Sequence, residues 1–251
     1  MGIDLLSQEK KACNFDCVYC QLGAAGKHTV ERKIYVPVES VIEELKRVPG
    51  AGIDYITFSG RGESTLAANL GAAVKTVKLI RKEPVAVITN GSLMGNSAVR
   101  QELAFADFVI AKLDGYSPEF LHEINRPATG IEFNEIVDGI KAFRQEYRGK
   151  LALQIMFIGI NKKDIDKYIY LANNIRPDEV QVNTPLRLCS IAPLDKAEIA
   201  AIKNKFISRC PGIRIISVYD GNAPKDVVSL SGNDTLKRRG KITPVHKGRK
   251  E

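Results

Sequence analysis

Three of the chain's five cysteines fall within eight residues, in the run Cys13-Asn14-Phe15-Asp16-Cys17-Val18-Tyr19-Cys20, a C-x3-C-x2-C spacing. Thiolates are the ligands of iron-sulfur clusters, and a 4Fe-4S cube normally takes four of them. Three on one short loop can hold three irons and leave the fourth open. Zinc is the competing use, but a structural zinc site brings two pairs of Cys or His, and His28, Cys189 and Cys210 have no pair spacing among them. Cysteines serving as small hydrophobes are not expected on a loop that also carries Asn14 and Asp16. Nor is a disulfide framework, because the cysteine count is odd and a cytosolic chain keeps its thiols reduced.

Four more polar or glycine-rich clusters could take part. In Ser59-Gly60-Arg61-Gly62-Glu63-Ser64-Thr65, Gly60 and Gly62 let backbone come close to a ligand, and Glu63 is placed to accept from an ammonium group. The same letters also make an ordinary strand-to-helix turn, with Ser64 able to cap the helix. Thr89-Asn90-Gly91 and Lys112-Leu113-Asp114 invite the same two readings, and Asn183-Thr184-Pro185 follows a later strand. Gln154 and Asn183 are polar residues inside otherwise apolar strands. Buried polar groups need partners, and a bound nucleoside would be one.

The elements that must position these groups alternate along the chain. Apolar runs of strand length lie at 2–6, 54–59, 85–89, 108–113, 151–158 and 179–183, and a further run at 213–218 could extend the sheet or cover its edge. Helical periods lie between them at 38–47, 66–81, 97–105, 133–147, 163–174 and 196–208. That alternation predicts β/α units around a parallel sheet. A closed eight-fold barrel needs more units than these, so the expected fold is α/β, a partial (β/α)6 TIM-type barrel open along one side. Ligands gather at the carboxyl ends of parallel strands, where the polar clusters fall.

The formal charge of +8 is unevenly spread: residues 237–251 carry seven Lys or Arg and one Glu, a net of +6 that leaves +2 for the other 236 residues. The expected division is a barrel domain at 1–236 and a basic tail at 237–251, which reads either as an RNA contact or as a solvated extension. No apolar run reaches the roughly 18–20 residues that span a bilayer, and residues 1–11 lack a signal-peptide core. A cytoplasmic protein with no membrane partner is expected.

The cysteine spacing, with the aromatic Tyr19 before the third cysteine, resembles that of the radical S-adenosylmethionine superfamily. The resemblance implies a 4Fe-4S cluster on Cys13, Cys17 and Cys20, with S-adenosylmethionine chelating the open iron. It also implies reductive cleavage to a 5'-deoxyadenosyl radical and an electron donor such as flavodoxin or ferredoxin. By the same resemblance Gly60, Gly62 and Glu63 hold the methionine amino group, Thr89 and Asn90 face the ribose, and Lys112 pairs with the methionine carboxylate, with Asp114 and Tyr19 beside the cofactor; Gln154 and Asn183, as polar residues in apolar strands, are expected near the ribose or adenine. The phrases CNFDCVYCQLG, DYITFSGRGE, PVAVITNGSLM, VQVNTPLR and TLKRRGK are similar to small relatives of the wyosine-forming tRNA synthases, which implies tRNA or another large substrate. Those synthases carry three further cysteines ahead of the radical motif; here twelve residues precede Cys13 and none is Cys, so their pyruvate condensation is not expected. Two other functions remain open: radical modification or activation of a protein or peptide, and a metal-containing RNA-binding module without catalysis.

Overall fold

A computed structural model describes residues 1–8, 10–23, 28–48 and 52–221. The basic tail at 237–251 and the domain division at 236 lie outside the described residues. Seven parallel strands stand in sequence order in one sheet: β1 (Gly2–Ile3), β2 (Ile56–Phe58), β3 (Val85–Thr89), β4 (Phe108–Lys112), β5 (Lys150–Met156), β6 (Glu179–Asn183) and β7 (Arg214–Ser217). Seven α-helical segments accompany them among the described residues: α1 (Val38–Lys46), α2 (Leu70–Ile80), α3 (Ser97–Leu103), the single turn α4 (Pro118–Phe120), α5 (Phe133–Glu146), α6 (Ile165–Ile175) and α7 (Lys196–Arg209). The seventh strand is one more than the six expected: the apolar run at 213–218 pairs with β6 and extends the sheet. Pairing runs from β1 to β7 and, among the described residues, does not close.

The helices form because their apolar residues recur at helical spacing. α6 buries Ile165, Tyr168, Ile169, Ala172 and Ile175, and α5 buries Phe133, Ile136, Val137, Ile140 and Phe143. Each large side chain so buried contributes about 1.5–3 kcal/mol. They pack with alternate strand residues, Val87, Val109, Leu151, Leu153 and Val180 among them, in one continuous core. The other residues of the same strands point to the opposite face, where Ala86, Phe108, Ile110 and Ala152 make a small separate apolar cluster that includes no helix residue. Above it on that face the register aligns Lys112 with Gln154 and Gln154 with Gln181. The sheet's second face is thus an apolar floor with a polar row toward the carboxyl ends.

Three of the boundaries that differ from expectation have local reasons. β1 stops at Ile3 because the Asp4 carboxylate accepts from the backbone of Leu6 at 2.9 Å and Arg61 at 3.1 Å, turning the chain. The helix expected from 66 begins at Leu70, preceded by a 3-10 turn (Ser64–Leu66) that Glu63 caps. β5 ends at Met156, and Asn161 Oδ1 then takes the Ile158 N–H at 2.8 Å. Among the described residues no helix is long and apolar enough to cross a membrane.

Candidate functional site

The cysteine run follows β1 and is fastened on three sides. Toward β2, Ala12 forms a parallel bridge with Gly62: its N–H bonds the Arg61 carbonyl at 3.1 Å, and its carbonyl accepts from Glu63 N–H at 3.0 Å. A Cβ on Gly62 would fall 1.6 Å from that carbonyl oxygen, so this glycine is required by close approach. Toward β3, the buried Asn14 side chain donates to Ser92 Oγ at 2.7 Å and accepts from Asn90 Nδ2 at 2.8 Å. Toward the segment after β4, Asp16 N–H bonds the Asn125 carbonyl at 2.9 Å and Val18 N–H that of Ile124 at 2.9 Å.

The expected cofactor residues fall into two groups. The first closes on Glu63, whose Oε1 accepts from Thr65 N (3.0 Å), Thr65 Oγ1 (2.7 Å) and Thr89 Oγ1 (2.6 Å), while Oε2 accepts from Asn90 N at 2.6 Å. A carboxylate offers about four acceptor positions, so the chain's own donors nearly fill it. Burial pushes the Glu63 carboxyl above its usual range, against the pull of these hydrogen bonds. Gly60 sits on Asp4, whose carboxylate a Cβ would overlap at 2.1 Å.

The second group runs across the sheet. Tyr19 donates its hydroxyl to Asp114 Oδ2, and Asp114 Oδ1 accepts from Met156 N at 2.9 Å and Lys112 Nζ at 3.4 Å. The Lys112 ammonium also stands 5.2 Å from the Tyr19 ring centroid and 3.5 Å from Gln154 Oε1. Gln154 Nε2 donates to Gln181 Oε1 at 2.8 Å. Burial first, and the Asp114 carboxylate second, hold the Tyr19 hydroxyl protonated well above its ordinary range. Asn183 ends β6 one strand further on.

All three thiols lie within electrostatic reach of one ammonium, that of Lys11, which pairs with Asp16 at 3.5 Å. Burial lowers the Lys11 pKa, but Cys20, Cys13 and Cys17 together outweigh it and raise the net value. Burial pushes the Cys13 thiol up to about 12 and raises that of Cys17, with Asp114 adding to the latter. Thiols so desolvated ionise when a metal takes them. Among the described residues no three His, Cys, Asp or Glu close around a point that a single ion could occupy. A lone zinc would draw its sulfurs to about 2.3 Å, whereas a cube gives each thiolate its own iron. The chemistry of the donor set, three soft thiols on one short loop, fits a cluster.

Two buried nitrogens, His28 Nε2 and Arg61 Nε, have no partner among the described residues. The segment after β6 touches the outer side of the cysteine run, through Arg187 Nη1 to Gln21 Oε1 at 3.0 Å and Ser190 Oγ to the Val18 carbonyl at 3.0 Å. Cys189 lies in that segment and gives its thiol to the Ile191 carbonyl; Cys210 is buried at the end of α7. Sequence reasoning missed Lys11, Asn125 and Gln181. Gln181 had a legible signal, a polar residue two places before Asn183 in the same strand; Asn125 had none, since it is 108 residues from Cys17.

A model of the radical SAM superfamily matches residues 11–172, from the cysteine run through most of α6, and the chain belongs to that superfamily. It is thereby a radical enzyme that cleaves S-adenosylmethionine, and the family implies an iron-sulfur cluster and a reductant. Within the superfamily its relatives include the UPF0026 proteins. It is 39% identical over 188 residues to the one from Synechocystis sp., covering 74% of this chain and 71% of that protein. With the one from Methanocaldococcus jannaschii it shares 33% over 231 residues, 84% and 70% of the two chains. Among solved structures, Streptococcus suis SuiB bound to S-adenosylmethionine has the same fold, with a TM-score of 0.65 at 13% identity over 86% of this chain; the likeness spans about half, 49%, of SuiB.

Proposed function

We propose that Cys13, Cys17 and Cys20 hold three irons of a 4Fe-4S cluster, that S-adenosylmethionine lies between this loop and the polar row, and that the resulting radical modifies tRNA or another large RNA. The observation that carries the cluster assignment is three thiols within eight residues, Cys13 buried and Cys17 and Cys20 half-buried, on a loop fastened to the ends of β2 and β3 and to residues 124–128. The chemistry the bound pair supplies is one-electron reduction of the sulfonium, which breaks the S–C5' bond and yields 5'-deoxyadenosyl radical.

The chain's own residues orient and shield. Lys112, with its charge shared between Asp114 and the Tyr19 ring, is the cation available to the methionine carboxylate. Glu63 acts chiefly by fixing Thr89 and Asn90, so the backbone around Gly60 to Gly62, together with the remaining acceptor capacity of Glu63 Oε2, is where the methionine amino group would lie. Gln154 and Asn183 offer polar contacts toward ribose or adenine. The apolar floor of Ala86, Phe108, Ile110 and Ala152 keeps water from approaching a radical from below. The RNA assignment rests on the resemblance to the wyosine-forming branch and on the net charge of +6 in residues 237–251, a charge that binds phosphates with strong salt dependence.

The test is anaerobic reconstitution with iron and sulfide, dithionite reduction, addition of S-adenosylmethionine and quantification of 5'-deoxyadenosine, with Cys17→Ala as control. Product, or brown cluster-loaded wild type that binds the cofactor, against a colourless control supports the cluster assignment. Colourless wild type that retains zinc overturns it. For the RNA half, tRNA retention on filters across a salt series is expected to weaken steeply as salt rises. Flat or absent binding, with radical transfer to a peptide instead, would move the enzyme to protein modification.

A further inference from the structure

Asn125 is 2% exposed, and its side-chain nitrogen stands 3.3 Å from Cys17 Sγ, 2.9 Å from Asp114 Oδ2 and 3.4 Å from Tyr19 Oη. One amide therefore touches two residues of the cysteine run, Cys17 and Tyr19, and Asp114 beyond the end of β4. The backbone that delivers it is unusual twice over. Residues Leu121–Asn125 form a single π-helical turn, closed by the Arg126 N–H on the Leu121 carbonyl at 3.1 Å. Arg126 then takes a left-handed conformation, φ 47°, which costs a non-glycine residue about 1–2 kcal/mol. π-turns and strained residues collect at functional sites. Here the carbonyls of Ile124, Asn125 and Arg126 all accept from the cysteine run, on either side of Cys17, so the strain goes into docking this turn on that loop.

We infer that Asn125 is a positioning residue that donates a hydrogen bond to the Cys17 thiolate and another to Asp114, so that one amide sets both the poise of the cluster and the placement of the groups that face the cofactor. The inference rests on Cys17 being a cluster ligand. An N–H aimed at a ligand sulfur stabilises the reduced, more negative cluster and raises its potential, one of the protein's levers on such centres. Loss of that donor disfavours reduction. Replacement by Asp, of the same shape, also places a second carboxylate against Asp114.

The experiment is a reductive titration of the reconstituted full chain followed by electron paramagnetic resonance, with iron and sulfide counted beforehand, on wild type, Asn125→Ser and Asn125→Asp. Both variants are expected to keep the wild-type iron content and to need a more negative potential for half-reduction. A tenfold fall in the reduction equilibrium is expected for Ser, about 59 mV for a one-electron couple, and a larger fall for Asp. A cluster-bearing variant with the wild-type midpoint overturns the inference. So does loss of iron from both variants in a barrel that circular dichroism shows folded, because Asn125 would then serve ligation and not poise. Full iron in Cys17→Ala would instead sink the cluster assignment itself, an outcome separable from either.

Discussion

Two carboxylates at the amino end of the sheet, Asp107 and Asp178, and one at its carboxyl end, Glu63, are held in opposite ways. At the amino end, Asp107 accepts from the Val85 backbone at 2.8 Å and from Lys78 Nζ at 2.5 Å, and Asp178 accepts from the Leu151 backbone at 2.8 Å and Arg144 Nη1 at 2.9 Å. Both pairs are open to solvent, where ion pairs contribute about 0–1 kcal/mol. At the carboxyl end, Glu63 is 3% exposed and takes four neutral donors from its own turn and the end of β3, with no cation. A charge held by fixed neutral dipoles has one geometry, whereas a charge held by a long flexible cation has many. Glu63, at the end that bears the candidate chemistry, is the carboxylate with no room to rearrange.

Substitutions at the two ends test that contrast. The largest effect is expected from Gly62→Ala, whose new methyl would meet the Ala12 carbonyl at 1.6 Å. Loss of about 3 kcal/mol should appear as a lower thermal midpoint, with less iron retained on reconstitution; wild-type values for both would show that the cysteine run does not depend on this bridge. Glu63→Gln comes next. Its NH2 must face at least one of the donors from Thr65, Thr89 and Asn90, and an unsatisfied buried donor costs about 1–3 kcal/mol. Urea denaturation of Glu63→Gln beside Asp107→Asn breaks the comparison if the two lose the same stability.

Arg144→Met removes only the exposed partner of Asp178, and its unfolding free energy is expected to stay within about 1 kcal/mol of wild type; a larger loss would make the amino end as constrained as the other. The smallest effect concerns acid. The Arg81 hydrogen bond holds Glu83 down at about 2 from an ordinary 4.5. A depressed carboxyl stabilises the fold above the unfolded value and loses that contribution as pH falls from 4.5 toward 2. Arg81→Met should flatten this part of the stability profile, seen in urea midpoints taken at about pH 5 and pH 3. An unchanged slope would remove Glu83 from the acid response.

Much of this was legible before any coordinates. β3 has the bounds its apolar run suggests, since a buried parallel strand is written as a short uninterrupted apolar stretch, and β6 also has the expected bounds, with Val180 and Val182 alternating with polar residues. The cysteine run and the SGRGEST turn stood out because metal ligation and close backbone approach restrict residue type. What stayed hidden depends on contacts across the fold. Glu63 looked like a free acceptor because the threonine and backbone N–H groups that fill it come from 65, 89 and 90. Asn125 carried no signal, because neither the π-turn nor the left-handed Arg126 has a signature in the letters. The seventh strand was visible as an apolar run, but only the β6 pairing made it part of the sheet.

Strand order that follows chain order has a consequence for the sequence of events during synthesis. Every described backbone or side-chain clamp on the cysteine run from β2, β3 and the 124–128 segment precedes Lys150, where β5 begins. At ~5–20 residues per second, the ribosome makes those anchors several seconds before β6 and β7. The candidate cluster loop can therefore settle on a nascent half-sheet, while the far strands are still to come.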